Sequence, residues 1–205
     1  MSDRYIRFER QSMTDAERAE TVVVQRHADA LRTYLEGHPE EIARAHIHNA
    51  GSTSVQALVA SALEPRGFRS EVPMRGAGAY VGGATVDLVL ELSDSRGIFV
   101  EVERGGTITN NHDLKDFWKT HIASNAHHLF LVVPMANWSR SGAVREKPFR
   151  RMPARFSAFF QGDKREVDVL SLHVFGYGSE TALAEQDAAS AQAESASTLA
   201  VENLA

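Results

Sequence analysis

Two acidic residues lie in a segment whose other residues are typical of a buried strand. In GIFVEVERGG, residues 97–106, the apolar run from Ile98 is interrupted by Glu101, and Glu103 follows two positions later. Because residues i and i+2 of a strand point the same way, Glu101 and Glu103 share one face. Two buried carboxylates are costly unless a cation or hydrogen bonds compensate them. The pattern therefore predicts either a cation site or an exposed, solvated face.

A third acidic residue, Asp87, interrupts the apolar run TVDLVLEL at residues 85–92. The turn-forming residues SDSRG separate this run from the segment with Glu101, so the two segments are predicted to pair as a hairpin. That pairing brings Asp87 towards the face that carries Glu101 and Glu103. Clustered carboxylates suit Mg²⁺ or Mn²⁺, and such a cation can activate water and stabilise charge on a phosphate.

The elements that must position these acids alternate between helical and strand patterns. Thr14-x-x-Glu17 predicts a capping box that opens a helix running to Gly37. Apolar spacing and turn residues predict the elements that follow. Helices are expected at residues 40–46, at 55–63, after a cap at Asn110 or Asn111 and, with some loop, at 148–160; strands are expected at 68–72, 85–92, 98–103, 128–134 and 166–174, with the glycine-rich RGAGAYVGG at 75–83 as a loop.

This order predicts an α/β protein with an α+β mixed sheet, in which an antiparallel meander precedes a helical crossover. We expect a single domain over residues 1–178, with its core at about 54–134, a helical extension at 1–48 and a C-terminal strand. Residues 179–205 are rich in Ala, Ser, Glu and Gln, which predicts a disordered or weakly helical acidic tail.

The element order and the register of the acids resemble the PD-(D/E)XK nuclease superfamily, the restriction-endonuclease-like fold. Its core is αβββαβ, and its motif is an acid on the second core strand followed by (D/E)-x-K on the third. Carried over, Asp87 matches the first acid and Glu101 the second, whereas Glu103 occupies the position of the lysine. E-x-E variants of this kind occur among type II restriction enzymes. The proline that gives the motif its name is absent, since Val86 precedes Asp87.

The resemblance implies a Mg²⁺- or Mn²⁺-dependent endonuclease that hydrolyses phosphodiester bonds in DNA, with a type II-like restriction enzyme as one form. Asp87 and Glu101 would ligate the metal, together with the backbone carbonyl of Val102. Glu103 would be a ligand or the general base. Lys115 or Lys119 would supply the missing lysine from the next helix, and Lys115 is favoured because it lies nearer the end of the strand. Weaker candidates for a further ligand are Gln56, Glu64 and Glu71.

Basic residues that could hold a DNA backbone cluster after the predicted central strand. The net charge is −5, but the tail holds five acidic residues and no Lys or Arg, so the rest of the chain is neutral. A basic cluster can attract phosphates, which predicts salt-sensitive binding, although it could equally be a solvated surface. The candidates for DNA contact are Arg104, Lys115, Lys119, Arg140, Arg145, Lys147, Arg150, Arg151 and Arg155. Cleavage of both strands would call for two active sites and therefore a homodimer.

The N-terminus has no apolar signal segment, and no apolar run approaches the roughly 18 residues of a membrane span. We therefore expect a cytoplasmic protein without membrane association. The chain has no cysteine, which excludes disulfides and thiolate zinc sites. Among the histidines, the neighbours His127 and His128 would point to opposite faces of a strand, so we do not expect them to share a metal.

Two other classes of function stay open. A catalytically inactive nucleic-acid-binding protein of the same fold would also explain a glutamate at the lysine position. The segment NAGSTSV, residues 49–55, resembles the GSTSV element of a GrpB-like nucleotidyltransferase family, in which a Gly-Ser turn at a helix start could hold a triphosphate. The strand that follows here, GFRSEV, lacks the paired aspartates of that fold, and the segment also suits an ordinary helix cap.

Overall fold

The structure is a computed structural model that describes residues 4–46, 51–76, 79–139, 141–161 and 167–180. Thirteen α-helices and β-strands lie in these ranges, together with a short 3-10 helix at Glu64–Arg66. In chain order they are β1 (Tyr5–Glu9), α1 (Asp15–Gly37), α2 (Pro39–Ala45), α3 (Thr53–Leu63), β2 (Arg69–Gly76), β3 (Ala79–Ser93), β4 (Arg96–Val102), α4 (His112–Ile122), β5 (His128–Pro134), β6 (Asn137–Trp138), β7 (Val144–Glu146), α5 (Pro148–Phe160) and β8 (Ser171–Tyr177).

Six strands form one mixed sheet in the order β1-β8-β5-β4-β3-β2. The strands β4, β5 and β8 run parallel, whereas β3 is antiparallel to both β2 and β4, and β1 is antiparallel to β8. Helix α4 makes the crossover that parallel strands require between β4 and β5. The short strands β6 and β7 form a separate hairpin. The prediction of an α/β protein with a mixed sheet is therefore confirmed.

Helices cover both faces of the sheet. Residues of α1, α2 and α3, including Leu31 and Val59, pack on one face against Val100 and Phe130. Residues of α4 and α5 pack on the other face against Phe99 and its neighbours. The inner strands thus face apolar helices on both sides, which explains why β5 is apolar at almost every position.

The capping box at the start of α1 forms as its sequence predicts. The amide of Glu17 donates to Thr14 Oγ1 at 3.2 Å, and the amide of Thr14 donates to Glu17 Oε2 at 2.7 Å. Two otherwise unpaired amides of the first turn are satisfied in this way. No helix in the described part of the chain is long and apolar enough to span a membrane.

Several predicted boundaries were wrong. The helical extension at residues 1–48 contains the strand β1, an edge strand that sequence alone did not reveal. The predicted loop RGAGAYVGG instead contributes residues to the paired ends of β2 and β3, because backbone pairing at a sheet edge does not require apolar side chains. The third core strand ends at Val102, before Glu103, and the last strand begins at Ser171; residue 166 lies outside the described residues.

Candidate active site

The β3–β4 hairpin brings Asp87 next to the strand that carries Glu101. Leu88 pairs with Val100 and Val89 with Phe99. Asp87, which precedes Leu88, is therefore a neighbour of Glu101, which follows Val100. The Asp87 carboxylate accepts a hydrogen bond from the backbone amide of Val102 at 2.8 Å. This bond fixes Asp87 at the end of β4, where Glu101 and Glu103 also lie.

The acids line a cleft of about 440 Å³ at the end of this hairpin. Its walls come from the β3–β4 hairpin, the first turns of α4 and the start of α3. Three acids, three basic residues and a histidine therefore face one space beside a helix N-terminus, which is the charge pattern of a site for a phosphate and a cation. The lining residues are Gly51, Ser52, Thr85, Asp87, Glu101, Val102, Glu103, Arg104, Gly105, His112, Lys115 and Lys119.

Lys119 lies closer to the acids than Lys115 does. Its Nζ lies 2.6 Å from Glu101 Oε1 and 3.0 Å from Asp116 Oδ1, and it also donates to the carbonyl of Thr85 at 3.3 Å. Lys115 Nζ lies 3.9 Å from Asp116 Oδ1, and its side chain is 56% exposed. The sequence favoured Lys115, whereas the geometry favours Lys119, because a further turn of α4 places Lys119 over Glu101.

Asp116 is a member of the cluster that the sequence analysis missed. It is fully buried on α4, and its Oδ1 forms an ion pair with Lys119, but neither carboxylate oxygen accepts a hydrogen bond of good geometry within the described residues. A usable signal was present in the sequence. Asp113, Asp116 and Thr120 recur at intervals of three and four residues, which places them on one helix face.

The acids hold protons more tightly than isolated carboxyl groups do. Burial, with the nearby Asp116 carboxylate, raises the pKa of Glu101 to about 8 and that of Glu103 to about 9. Burial likewise raises the pKa of Asp87. Burial by itself lowers the pKa of Lys119, but Glu101 and Asp116 outweigh it and hold that pKa above its ordinary value. The ammonium group thus stays charged, while the carboxyl groups around it cannot all ionise near neutral pH.

Glu103 is held by a histidine that the sequence analysis did not single out. His112, the first residue of α4, has its Nδ1 3.0 Å from Glu103 Oε2. The main chain at Glu103 is fixed as well, since its amide donates to the carbonyl of Val132 at 2.8 Å and its carbonyl accepts from the Tyr177 hydroxyl at 2.9 Å. Glu103 therefore lies just beyond β4 with its backbone and side chain both anchored.

The cleft offers the oxygen donors that a hard divalent cation prefers. Asp87 and Glu101 supply carboxylate oxygens in a cleft, and oxygen donors are what Mg²⁺ and Mn²⁺ prefer. In the described part of the chain, no three acidic or histidine side chains are arranged as a ready-made metal site. Lys119 stands in as the counter-cation of Glu101, so a metal would compete with this ammonium for the carboxylate.

Most of the predicted DNA-binding residues lie outside this cleft, and three of them are paired with acids. Arg155 binds the buried Asp113 through two nitrogens, at 2.5 and 3.0 Å. Lys147 and Arg150 both bind Glu180, the second residue of the predicted acidic tail. Arg145 and Arg151 are exposed, Arg104 lines the cleft, and Arg140 lies outside the described residues, as do residues 181–205 of the tail.

The weaker ligand candidates do not line the cleft. Glu64 accepts a hydrogen bond from Ser70 at 2.6 Å on the surface, and Gln56 lies in the first turn of α3 but does not line the cleft. Glu71 is exposed on β2, but it is near enough for its charge to contribute to the raised pKa of Asp87, after burial and Asp116. Gln56 and Glu64 are therefore separate from the acids of the cleft, whereas Glu71 lies on the strand next to Asp87, since Ser70 pairs with Leu88 and Val72 with Val86.

The histidines at residues 127 and 128 bind separate partners, as their positions on a strand predicted. His127 Nε2 lies 3.6 Å from Asp168, whereas His128 lies between Glu20 Oε1 and Ser171 Oγ, each at 2.7 Å. This Ser-His-Glu series looks like a hydrolytic triad, but Ser171 and His128 are both fully buried. A substrate has no access to this serine, so we assign the series to the core.

Comparison with protein families and with curated proteins finds no match for this chain.

Proposed function

We propose that the protein is a metal-dependent endonuclease that hydrolyses phosphodiester bonds in DNA, on a restriction-endonuclease-like plan. The observation that carries the proposal is the convergence of Asp87, Glu101 and Lys119 in one cleft at the end of the β3–β4 hairpin. The site thus combines two acids and a lysine. Here the lysine comes from α4, whereas in the family it comes from the third core strand.

The element order supports the same proposal. From α3 to β5 the chain runs helix, three antiparallel strands, helix and parallel strand, which is the αβββαβ order of the resemblance. The first acid lies on the second of these strands and the second acid on the third. Order and register together are more specific than an acidic cleft alone.

Asp87 and Glu101 would hold the Mg²⁺ or Mn²⁺ ion, with the carbonyl of Val102 as a further donor. When bound, the metal would supply a Lewis acid for the phosphate and a more acidic water. Lys119 would contact a non-bridging oxygen of the scissile phosphate and stabilise the charge that develops there. Once metal binding has displaced its proton, Glu103 would take the proton of the attacking water, and His112 would hold the Glu103 carboxylate in place.

The start of α3 would bind the phosphate from the other side of the cleft. Gly51 and Ser52 precede this helix and line the cleft with the acids. Unpaired amides and the helix dipole favour an anion at this position. Arg104, between this turn and the acids, would add a positive charge, and the exposed Arg145 and Arg151 would contact the DNA backbone further away. Binding should therefore weaken as salt increases. Cleavage of both strands would require a homodimer.

The proposal is tested by incubating the protein with supercoiled plasmid in the presence of Mg²⁺ or Mn²⁺, and with a chelator. We expect conversion to nicked or linear plasmid only with the metal. Discrete products would indicate a site-specific enzyme and a smear a non-specific one. Absence of cleavage under every metal condition, for a protein that binds Mn²⁺ through Asp87, would favour an inactive nucleic-acid-binding protein of the same fold.

A nucleotidyltransferase is the second candidate, because Gly51 and Ser52 of the GSTSV element lie in the same cleft as Asp87 and Glu101. The fold thus brings this turn to two acids that are distant in sequence. A nucleotidyltransferase would release pyrophosphate from a nucleoside triphosphate, whereas a nuclease would not. Pyrophosphate release in the presence of Mg²⁺, without plasmid cleavage, would favour this second candidate.

A further inference from the structure

A second pocket adjoins the acidic cleft and has no role in the chemistry proposed above. Its volume is about 400 Å³, within the range of small-ligand sites. It shares Arg104 and Gly105 with the acidic cleft. The other walls come from the β6–β7 hairpin, the loop before α4, and His46 after α2. A nucleotide chain with a phosphate in the cleft therefore has a neighbouring base within reach of this pocket.

Two aromatic rings form one wall of the pocket. The rings of His46 and Trp138 have centroids 4.7 Å apart, and Tyr177 packs edge-on against His46 at 4.9 Å. Tyr177 also binds the carbonyl of Glu103, so this wall is connected to the acidic cleft. Aromatic faces of this kind stack on nucleobases without strong sequence preference.

Two buried acceptors in the walls lack a donor within the described residues. His46 is 2% exposed, and its Nε2 lies 2.9 Å from the carbonyl of Ala136, which requires the proton on Nε2 and leaves Nδ1 as an acceptor. Nδ1 has no partner there, and neither has Glu146 Oε2. The other oxygen of Glu146 is fixed by Asn137 Nδ2 at 2.8 Å. Unpaired buried acceptors are costly, and a ligand that brings N–H donors relieves that cost.

We propose that this pocket binds a nucleobase with an exocyclic amino group, adjacent to the nucleotide whose phosphate enters the acidic cleft. The base stacks on the ring of Trp138, and its amino group donates to the acceptors of Glu146 and His46. Cytosine and adenine carry such a group, whereas thymine does not. The base must leave a duplex stack to enter, as it does in enzymes that act on extruded or single-stranded nucleotides. The position of the phosphate in the cleft rests on the proposed function, whereas the binding of the base in the pocket does not.

The probe is a deoxynucleoside 5′-monophosphate, and the readout is the fluorescence of Trp138. The chain has two tryptophans, so Trp118→Phe leaves Trp138 as the sole emitter. We expect saturable quenching by dCMP and dAMP, with weaker binding of dTMP by at least about fivefold, since one lost hydrogen bond has about this effect. Absence of saturable quenching at millimolar nucleotide would overturn the inference, as would equal binding of dTMP.

Variants test whether the nucleotide occupies this pocket. Thr109 is exposed on its rim, so Thr109→Tyr should fill the space and abolish quenching, whereas Val144→Ala, on β7 but outside the lining, should leave it unchanged. Binding of a fluorescein-labelled trinucleotide should weaken by roughly 5- to 150-fold in Trp138→Leu and recover in Trp138→Phe, because stacking requires a ring. Circular dichroism confirms folding. Unchanged quenching in Thr109→Tyr would place the nucleotide elsewhere and overturn the inference.

The failure of this inference is distinguishable from the failure of the proposed function. Asp87 does not line the pocket, so Asp87→Asn should keep the quenching while it removes metal-dependent cleavage. Quenching that Thr109→Tyr abolishes, in a protein that never cleaves plasmid, would support the pocket and sink the nuclease. Cleavage without quenching would sink the pocket alone.

Discussion

Lys119 is the residue whose contacts best define the candidate site. Its ammonium touches Glu101 and Asp116, and its side chain is 17% exposed, so it is held within the cleft and still reachable from solvent. A lysine that is fixed by two carboxylates is oriented before a phosphate arrives, which is how electrostatic stabilisation becomes effective. Lys115 has no comparable anchor, and its charge is screened by water.

Replacement of the two lysines distinguishes their roles. We expect Lys119→Met to lower the rate of plasmid nicking by about 10²–10³-fold, because a fixed donor to the developing charge is lost. Lys115→Met should lower it by less than about tenfold, as expected for an exposed charge that acts through screened attraction. The rate is measured under single-turnover conditions, with thermal melting as a check on folding. A larger loss in Lys115→Met would reverse the assignment.

Metal-free protein should lose stability as pH rises from about 7 to 8, above the range in which the buried histidines, whose pKa values are lowered, take up protons on unfolding. Glu101 and Glu103 have folded-state pKa values of about 8 and about 9, above the ordinary 4.5. The folded protein therefore binds more protons than the unfolded chain between these limits, and the stabilising contribution is complete below the ordinary pKa and lost as pH rises through the folded values. Urea unfolding between roughly pH 7 and 8 should show a decline of about 1.4 kcal/mol per pH unit for each coupled proton.

Mn²⁺ should reverse this decline, because binding displaces the protons that the acids retain. The Glu103→Gln variant should show a shallower slope. Glu91→Gln, an exposed acid on β3 paired with Arg69, should match the wild type. A stability of the metal-free protein that rises between about pH 7 and 8 would contradict the proton retention by this cluster.

At the residue level, the sequence predicted Asp87 and Glu101 as members of the site, but it did not predict Asp116 and His112, which belong to the same cluster. Asp87 and Glu101 stood out because each interrupts an apolar strand. Asp116 and His112 did not, because a polar residue on a helix is ordinary until the helix is known to bury that face. The choice between Lys115 and Lys119 depends on which turn of α4 lies over Glu101, and no sequence pattern records that.

Helix α4 buries a face that its apolar residues do not predict. Trp118 is 48% and Ile122 54% exposed, whereas Asp113 and Asp116 are fully buried. The polar face is inside because each acid has a basic partner, Arg155 for the first and Lys119 for the second. Apolar periodicity assumes that burial follows hydrophobicity, and that assumption fails where a helix carries a buried ion pair.

The pair of Arg155 and Asp113 should be structural, although the sequence placed Arg155 among the DNA contacts. Arg155 joins α5 to the first turn of α4 and also binds the side-chain oxygen of Asn111 at 2.7 Å. Arg155→Ala leaves a buried carboxylate without its partner, so we expect a loss of about 3–5 kcal/mol of unfolding free energy. The exposed Arg151→Ala, on the same helix, should change it by less than about 0.5 kcal/mol. Chemical denaturation measures both; similar values would contradict a structural role for Arg155.

Edges of the sheet were harder to predict than its centre. Strand β5 was predicted residue for residue, because both of its faces are buried and its positions after His128 are all apolar. Strand β1 and the glycine-rich ends of β2 and β3 lie at or near edges, where backbone pairing with a neighbour sets the structure and side chains carry little signal.

At the scale of the whole molecule, the charged residues of the candidate site lie at the end of the sheet where β3 and β4 meet α3 and α4. The acidic cleft and the second pocket, which His46 and Trp138 line, lie side by side there and share Arg104 and Gly105. The basic cluster, by contrast, is partly neutralised by Glu180 and Asp113. Recognition of a polyanion would therefore depend on the cleft and its rim more than on the length of the basic segment.

The proposed function requires Asp87 and Glu101 to support a metal-dependent cleavage. The most direct measurement is the initial rate of plasmid nicking as a function of Mn²⁺ concentration for the wild type, Asp87→Asn, Glu101→Gln and the matched control Glu91→Gln. We expect both site variants to lose at least about 10²-fold, with weaker Mn²⁺ dependence, and Glu91→Gln to stay within about twofold of the wild type. Equal rates in Asp87→Asn and Glu91→Gln, or nicking that a chelator does not stop, would contradict this requirement.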